Sequence, residues 1–256
     1  MSQRRKMLCV FAHPDDESYG PGGTIARYAL EGVEVNLLMF TCGEAGSIGV
    51  SKDIPNDELC RLRTAELNAA CEALGIGEHR ILGVPDKGVG AMDQSRAIAE
   101  VVSDIRRFQP QVLLTFHHLG ISGHPDHIAV ATVLERAFEQ TSGDSAPPLK
   151  LYGYGIPEHK ARLYQRDNLV PLKKDDVDAV IDIPDEAMDN KILAIRRHET
   201  QYDFYRSLQD KFDYRTVARP EHFHLRKTRL PRLPRLPRPR PGDFEVESDL
   251  FEGIVP

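Results

Sequence analysis

The sequence predicts an α/β domain of Rossmann-like, three-layer architecture with a mostly parallel sheet and a C-terminal extension. Three observations carry that expectation. Short apolar runs alternate with segments of helical period along most of the chain. The early runs, Met7-Leu8-Cys9-Val10-Phe11 and Val112-Leu113-Leu114-Thr115-Phe116, are continuous rather than alternating, as strands buried on both faces require. Each of these two runs is followed closely by a string of imidazoles and carboxylates: His13-Pro14-Asp15-Asp16-Glu17, and Gly123-His124-Pro125-Asp126-His127. The carboxyl ends of strands are where open α/β sheets bind ligands.

The elements follow in order. Residues 7–11 form the first strand. Residues 22–30 form a helix with Ile25, Tyr28 and Ala29 on one face. Residues 33–40 are a second strand, ending at Thr41-Cys42-Gly43. The polar, Gly-containing segment 43–55 reads as an active-site loop. Residues 57–74 form an amphipathic helix stopped by Gly75. A short strand at 80–83 precedes a helix at 94–108 that ends before Pro110. After the strand at 112–116 comes a helix at 128–138. Later strands are expected at 149–156 and 177–183, and residues 185–208 read as mostly helix.

Residues 1–214 make up the main domain. Residues 215–241 form a basic Pro/Arg-rich extension whose three-residue period suits an exposed polyproline II spacer. Residues 242–256 return to ordinary composition and are expected to dock on the body. The 256 residues, 41% hydrophobic, suffice for one large domain or two small ones. The net charge of −6 conceals an asymmetry: residues 215–241 carry nine Lys or Arg and one acid, leaving 24 basic and 38 acidic residues elsewhere. So acidic a body is a poor nucleic-acid binder, and no specific nucleic acid is expected. No apolar run suits a signal peptide or reaches the roughly 18 residues of a membrane span. A soluble, cytoplasmic protein is therefore expected, with homo-oligomerisation left open. Cys9, Cys42, Cys60 and Cys71 lack C-x-x-C spacing and read as reduced, mostly buried thiols.

The chemistry concentrates in the two strings. His13 and Asp16 lie three apart on a tight turn in which Pro14 fixes φ. His124 and His127 are also three apart, near a helix start. Imidazole plus carboxylate is the donor set of catalytic zinc, and two histidines with one aspartate leave a fourth position open. Taken singly, an Asp-Asp pair after a strand is often a helix cap and a loop histidine is often merely solvated. Two such strings at two strand ends favour one metal centre assembled across the fold.

These residues carry a resemblance. Ala12-His13-Pro14-Asp15-Asp16-Glu17 with His124-Pro125-Asp126-His127 resembles the LmbE-like/PIG-L family of zinc-dependent N-deacetylases. Arg63-Thr64-Ala65-Glu66 and His198-Glu199-Thr200-Gln201 support it more weakly, and the Arg/Pro run departs from the family pattern. The resemblance implies that His13, Asp16 and His127 hold Zn(II), with Fe(II) or Co(II) as alternatives the open position admits. It implies that Asp15 is the general base, that His124 stabilises the oxyanion and helps protonate the leaving amine, and that Asp126 orients His124. The implied reaction is removal of an N-acyl group, N-acetyl above all, from an amino-sugar conjugate such as an N-acetylglucosaminyl compound. Glu44 is a candidate acceptor for sugar hydroxyls. Arg63 meets an anionic part of the substrate or pairs with Glu66 on its own helix. Glu17 is a supporting or capping group, and His198 is structural or catalytic. His117, His118, His222 and His224 stay unassigned.

Three rival readings remain at this level. One is an amidase acting on a thiol conjugate. A second is a metal-bearing scaffold whose basic tail docks an acidic partner, against which the intact Asp15 and His124 argue. A third is a nucleotide-binding protein, but Gly20-Pro21-Gly22-Gly23 lacks both the P-loop lysine and the G-x-G-x-x-G spacing.

Overall fold

In the computed structural model, which describes residues 4–46, 54–164, 168–231 and 246–255, the apolar runs become the centre of a seven-stranded sheet. The elements are, in chain order, β1 (Lys6–Phe11), α1 (Asp16–Tyr19), α2 (Gly22–Leu30), β2 (Glu34–Met39), α3 (Asn56–Leu74), β3 (His79–Ile81), α4 (Gln94–Phe108) and β4 (Val112–Phe116). There follow α5 (Gly120–Gly123), α6 (Pro125–Gln140), β5 (Lys150–Gly155), α7 (Glu158–Tyr164), β6 (Ala179–Ile181), α8 (Asp185–Arg197), α9 (Tyr202–Gln209), α10 (Tyr214–Val217) and β7 (Glu221–Thr228).

The strand order is β3-β2-β1-β4-β5-β7-β6. β3, β2, β1, β4 and β5 run parallel, whereas β7 is antiparallel to both β5 and β6. From the β1–β4 pair the chain winds outward in both directions. Right-handed crossovers then put α2 and α3 on one face and α4 and α6 on the other, and α8 packs with α2 and α3. Met7 to Phe11 and Val112 to Leu114 are at most 2% exposed, which explains their unbroken apolarity.

Two expectations need correction. Residues 221–228, assigned above to the basic extension, form β7 inside the sheet, with β6 outside it. A strand carrying Glu221, His222, His224, Arg226 and Lys227 does not look like a buried run, because its polar groups are matched by partners distant in sequence. Of the Arg/Pro run, residues 232–241 lie outside the described residues. The second correction concerns the cysteines. Cys42 and Cys60 form a disulfide with Cα atoms 5.1 Å apart, while Cys9 and Cys71 are free and buried. The segment after β2 returns against α3, and spacing alone does not reveal that return.

The helix expected over 185–208 also breaks. α8 ends at Arg197, and a 3₁₀ turn at Glu199–Gln201 precedes α9. At the break, the fully buried His198 ring bonds through Nε2 to Glu17 Oε1 at 2.7 Å. Near the C-terminus, Leu250 and Phe251 are buried, and Tyr28 Oη donates to Asp249 Oδ1 at 2.8 Å.

Glu221 ties the late strand to the early helix. Its Oε1 accepts from Gly23 N at 3.0 Å and its Oε2 from Thr24 N at 2.8 Å, so it caps the N-terminus of α2. Lys191 Nζ lies 2.7 Å from Glu221 Oε1 and 2.7 Å from Gly20 O. A Cβ on Gly23 would stand 2.8 Å from Glu221 Oε1, so a glycine is needed there. The helix terminus that a nucleotide phosphate would occupy is thus filled by the chain's own carboxylate, which removes the basis for the nucleotide reading.

Lys191 and Glu221 are both at most 1% exposed. Lys191→Met should therefore lower stability by about 3–5 kcal/mol, the cost of leaving one buried charge unpaired. Adding Glu221→Gln should recover part of the loss. Urea unfolding of the parent and both variants checks this; a single-variant loss no larger than a surface ion pair, about 1 kcal/mol or less, contradicts the buried-pair account.

Candidate metal centre and cleft

Strand order reverses between β1 and β4, so the loops after these two strands diverge and leave a crevice at the carboxyl end of the sheet. The two His/Asp strings are those loops. After β1, His13 N donates to Asp16 Oδ2 at 2.7 Å, which folds the Asp16 carboxylate back over His13. After β4, the chain enters α6 with Pro125 in its first turn and His124 as the cap residue. His127 falls one turn later and stacks on Phe116, ring centroids 4.0 Å apart.

Hydrogen bonding fixes which nitrogen of each ring is free. His127 Nδ1 lies 3.1 Å from Gly120 O, a carbonyl that only accepts, so Nδ1 carries the proton and Nε2 presents a lone pair. His13 Nε2 lies 3.1 Å from Asp86 Oδ1 and 3.3 Å from Asp126 Oδ2. It therefore carries a proton and leaves Nδ1 facing the crevice. His13 Nδ1 and His127 Nε2 are 3.2 Å apart. Asp16 Oδ2 is 3.6 Å from the first and Asp16 Oδ1 is 3.3 Å from the second. Two lone pairs and a carboxylate meeting at such distances call for a cation between them. The spacing matches the edge of about 3.3 Å expected for a tetrahedron with zinc–nitrogen bonds of about 2.0–2.1 Å.

The electrostatics favour positive charge at the same point: with no ion there, His13 itself takes a second proton on Nδ1, which a bound cation would displace. Burial works against charge on His13, but hydrogen bonds to Asp126, Asp16 and Asp86 outweigh it and push its pKa up to about 12. Burial lowers the pKa of His127, opposed by Asp16. Burial and the neighbouring His13 lower that of His124 as well. Burial, with Asp16 beside it, raises the pKa of Asp15 well above the usual carboxylate range.

Asp15 stands at φ 122°, a strained conformation for any residue but glycine. Its N–H donates to Glu17 Oε2 at 3.0 Å, and its carbonyl accepts from Tyr19 N at 2.8 Å. Gln201 Nε2 donates to Asp15 Oδ2 at 2.5 Å. His13, Asp15, Asp16, Arg63, His124 and His127 all border a cavity of about 490 Å³, together with Asp86, Lys87, Thr200, Gln201 and Asp203. A second hollow of about 670 Å³ lies beside β3 and α4, but Arg80, Glu100, Asp104 and Arg107 pair among themselves there.

Several expected residues sit differently. The Asp126 carboxylate does not face His124; it accepts from Lys87 N at 2.8 Å and Val89 N at 3.2 Å and supports His13. His124 is positioned instead by the Asp126 backbone N–H, which donates to its Nδ1 at 3.2 Å. Its Nε2 then carries the proton of the neutral ring. Glu44 does not border the cavity, because its Oε1 accepts from Asp86 N at 2.8 Å. Arg63 borders the cavity and donates to Gly43 O. Glu66 is engaged by Thr200, whose N and Oγ1 both lie 2.8 Å from it. Asp86 escaped sequence reasoning; its one signal was a carboxylate shortly after the third strand. Gln201 was visible only within a supporting string.

Residues 8–138 match the family described as PIG-L: GlcNAc-PI de-N-acetylase. The 1D-myo-inositol 2-acetamido-2-deoxy-alpha-D-glucopyranoside deacetylase of Acidothermus cellulolyticus is 33% identical over 98% of this chain and 95% of its own length. The protein of the same name from Thermobispora bispora is 41% identical over 56% of this chain and 54% of its own. Among solved structures, N,N'-diacetylchitobiose deacetylase from Pyrococcus horikoshii has a TM-score of 0.65 at 19% identity, covering 98% of this chain and 87% of that one. GalB, the 4-carboxy-2-hydroxymuconate hydratase from Pseudomonas putida KT2440, has a TM-score of 0.67 at 19% identity, covering 91% of this chain and 100% of that one. A hydratase and a deacetylase share this architecture, so the fold alone does not assign the chemistry. The family match spans both His/Asp strings and the Acidothermus cellulolyticus relative spans nearly the whole chain; this chain belongs to the PIG-L family of GlcNAc-PI de-N-acetylases.

Proposed function

We propose that the chain is a zinc-dependent hydrolase that removes the N-acetyl group from an N-acetylglucosaminyl-inositol conjugate. The observation that carries this is the meeting of His13 Nδ1, His127 Nε2 and Asp16 at 3.2–3.6 Å beside the buried carboxylate of Asp15. His13, Asp16 and His127 would hold the ion, leaving one position open to the cavity. Zn(II), or Fe(II) or Co(II) in its place, would supply Lewis-acid polarisation of the amide carbonyl and activation of a water.

The chain's own groups do the rest. Asp15 accepts a proton from the attacking water and returns it to the leaving amine as the C–N bond breaks, and Gln201 holds one of its oxygens so that the other can face the reacting centre. His124 presents Nε2–H to the developing oxyanion. It is held for that task by the N-terminus of α6, whose positive end favours the neutral ring over imidazolium. Its part is therefore hydrogen-bond donation rather than the standing positive charge that a carboxylate-oriented ring would have. Asp126 and Asp86 hold His13. The substrate assignment rests on the relatives' stated substrate and on a cavity of about 490 Å³, within the usual range for small-ligand sites. Arg63 borders that cavity and suits the polar inositol end.

Metal counting tests the ion site. His13→Ala and His127→Ala should each lose most of the metal held at this site, measured by inductively coupled plasma spectrometry after dialysis. Retention of a full equivalent at this site in both variants removes the ligand assignment.

Turnover tests the remaining roles. Release of free amine from the GlcNAc-inositol amide should fall roughly 10²–10⁴-fold in Asp15→Asn and roughly 10²–10³-fold in His124→Ala. Metal content should stay at the parent level in both. Activity within a few-fold of the parent in either variant denies that residue its role, and no amine release by the metal-loaded parent denies the substrate.

A further inference from the structure

Among the histidines that play no part in this chemistry are His117 and His118 just after β4, and His222 and His224 on β7. β5 lies between the two strands, with Gly153 opposite His224 and Gly155 opposite His222. The β4 ladder continues one residue past the strand, since His117 N donates to Tyr154 O at 2.7 Å. A Cβ on Gly153 would lie 2.7 Å from Phe116 O and 3.0 Å from His117 Cα, and one on Gly155 would lie 3.5 Å from His117 Cβ. The missing side chains on β5 leave room for the His117 imidazole beside β7. Its ring centroid is 4.1 Å from that of His118 and 5.9 Å from that of His224.

One ring nitrogen from each of His117, His118 and His224 lies within 4.8 Å of the other two. His117 is 2% exposed, and neither of its ring nitrogens has a hydrogen-bond partner among the described residues. A buried polar group left unpaired costs about 1–3 kcal/mol, so this ring calls for a partner of another kind. Burial, aided by His118, His224 and Arg226, lowers the His117 pKa to about 4, which keeps the ring in the neutral form that binds metals. Anionic groups offset the local positive charge. Asp178 Oδ2 lies 3.9 Å from His224 Nε2, and Glu135 Oε1 accepts from Arg226 Nε at 2.7 Å. Arg226 Nη1 also lies 3.2 Å from His118 Nδ1. His118 would join an ion by turning away from that contact, which leaves Arg226 on Glu135.

We propose that His117, His118 and His224 form a second metal site, separate from the cleft, that takes a first-row divalent ion of the imidazole-preferring class, Zn(II) foremost. None of the three borders the cavity around His13. The site would be structural. His117 and His118 open the segment that delivers Gly120 O to His127 Nδ1 and leads into His124. An ion joining them to β7 would tie that segment to the sheet.

Zinc equivalents per chain, after stripping and dialysis against low micromolar free Zn(II), test the proposal. The parent should bind two, His13→Ala/His127→Ala one, and His117→Asn/His224→Asn one. A parent that binds one equivalent, lost in His13→Ala/His127→Ala but kept in His117→Asn/His224→Asn, overturns the second site and leaves the cleft assignment standing. One equivalent with the reverse pattern supports the second site and overturns the first. Should the buried double variant fail to fold, His118→Ala, at a less buried position, decides: at least a tenfold weaker second zinc affinity supports the site, and unchanged affinity for two equivalents overturns it.

Discussion

The cleft depends on the charge around one imidazole. His13 is surrounded by the carboxylates of Asp16, Asp86 and Asp126, drawn from three separate stretches of chain. The Asp86 and Asp126 side chains are only 4% and 1% exposed. Like charges about 4 Å apart repel by about 4 kcal/mol at the effective dielectric near a protein surface, so such a nest persists only with compensation. Backbone N–H groups of Ala45, Lys87 and Val89 provide part of it. On the proposed assignment, a cation at the His13–His127 gap would provide the remainder. Apart from any later chemistry, the cleft is a place where a cation is needed.

The sheet topology determines which residues can meet there. His13 and His127 are 114 residues apart in sequence, yet their loops leave adjacent parallel strands at the point where the winding reverses. Supports come from still farther along the chain. Gln201 reaches Asp15, His198 reaches Glu17, and Glu221 reaches the start of α2 just after that turn. The loop that carries the first His/Asp string is thus braced by residues about 180–200 positions later. The C-terminal third of the chain belongs to the site's architecture rather than following it.

What could be read from the sequence has a physical limit. The central strands and the two strings were legible because each signal is local: a continuous apolar run, then the polar string within about a dozen positions. The same locality fails for β7, whose polar residues are buried by partners such as Lys191 and Asp178 that no window around residue 221 contains. It fails for Asp86, which gains its meaning only when β3 sets it beside His13. The Cys42–Cys60 bond required the return of the chain after β2. Asp126 shows a subtler failure. The string shows that it is there, but the direction of its carboxylate depends on the Lys87–Val89 backbone.

On the proposed mechanism, the backbone at Asp15 sets fold and function in opposition. At φ 122° the fold alone would be better served by glycine, which pays no steric penalty there. An aspartate persists at a cost of order 1–3 kcal/mol, offset by the brace of Glu17, His198 and Gln201. A search for more stable variants of this chain, blind to activity, would converge on this position and discard its carboxylate. On the proposed mechanism, a relative with glycine here and the brace still intact would be a fossil of lost chemistry: a sturdier protein with nothing to take the proton.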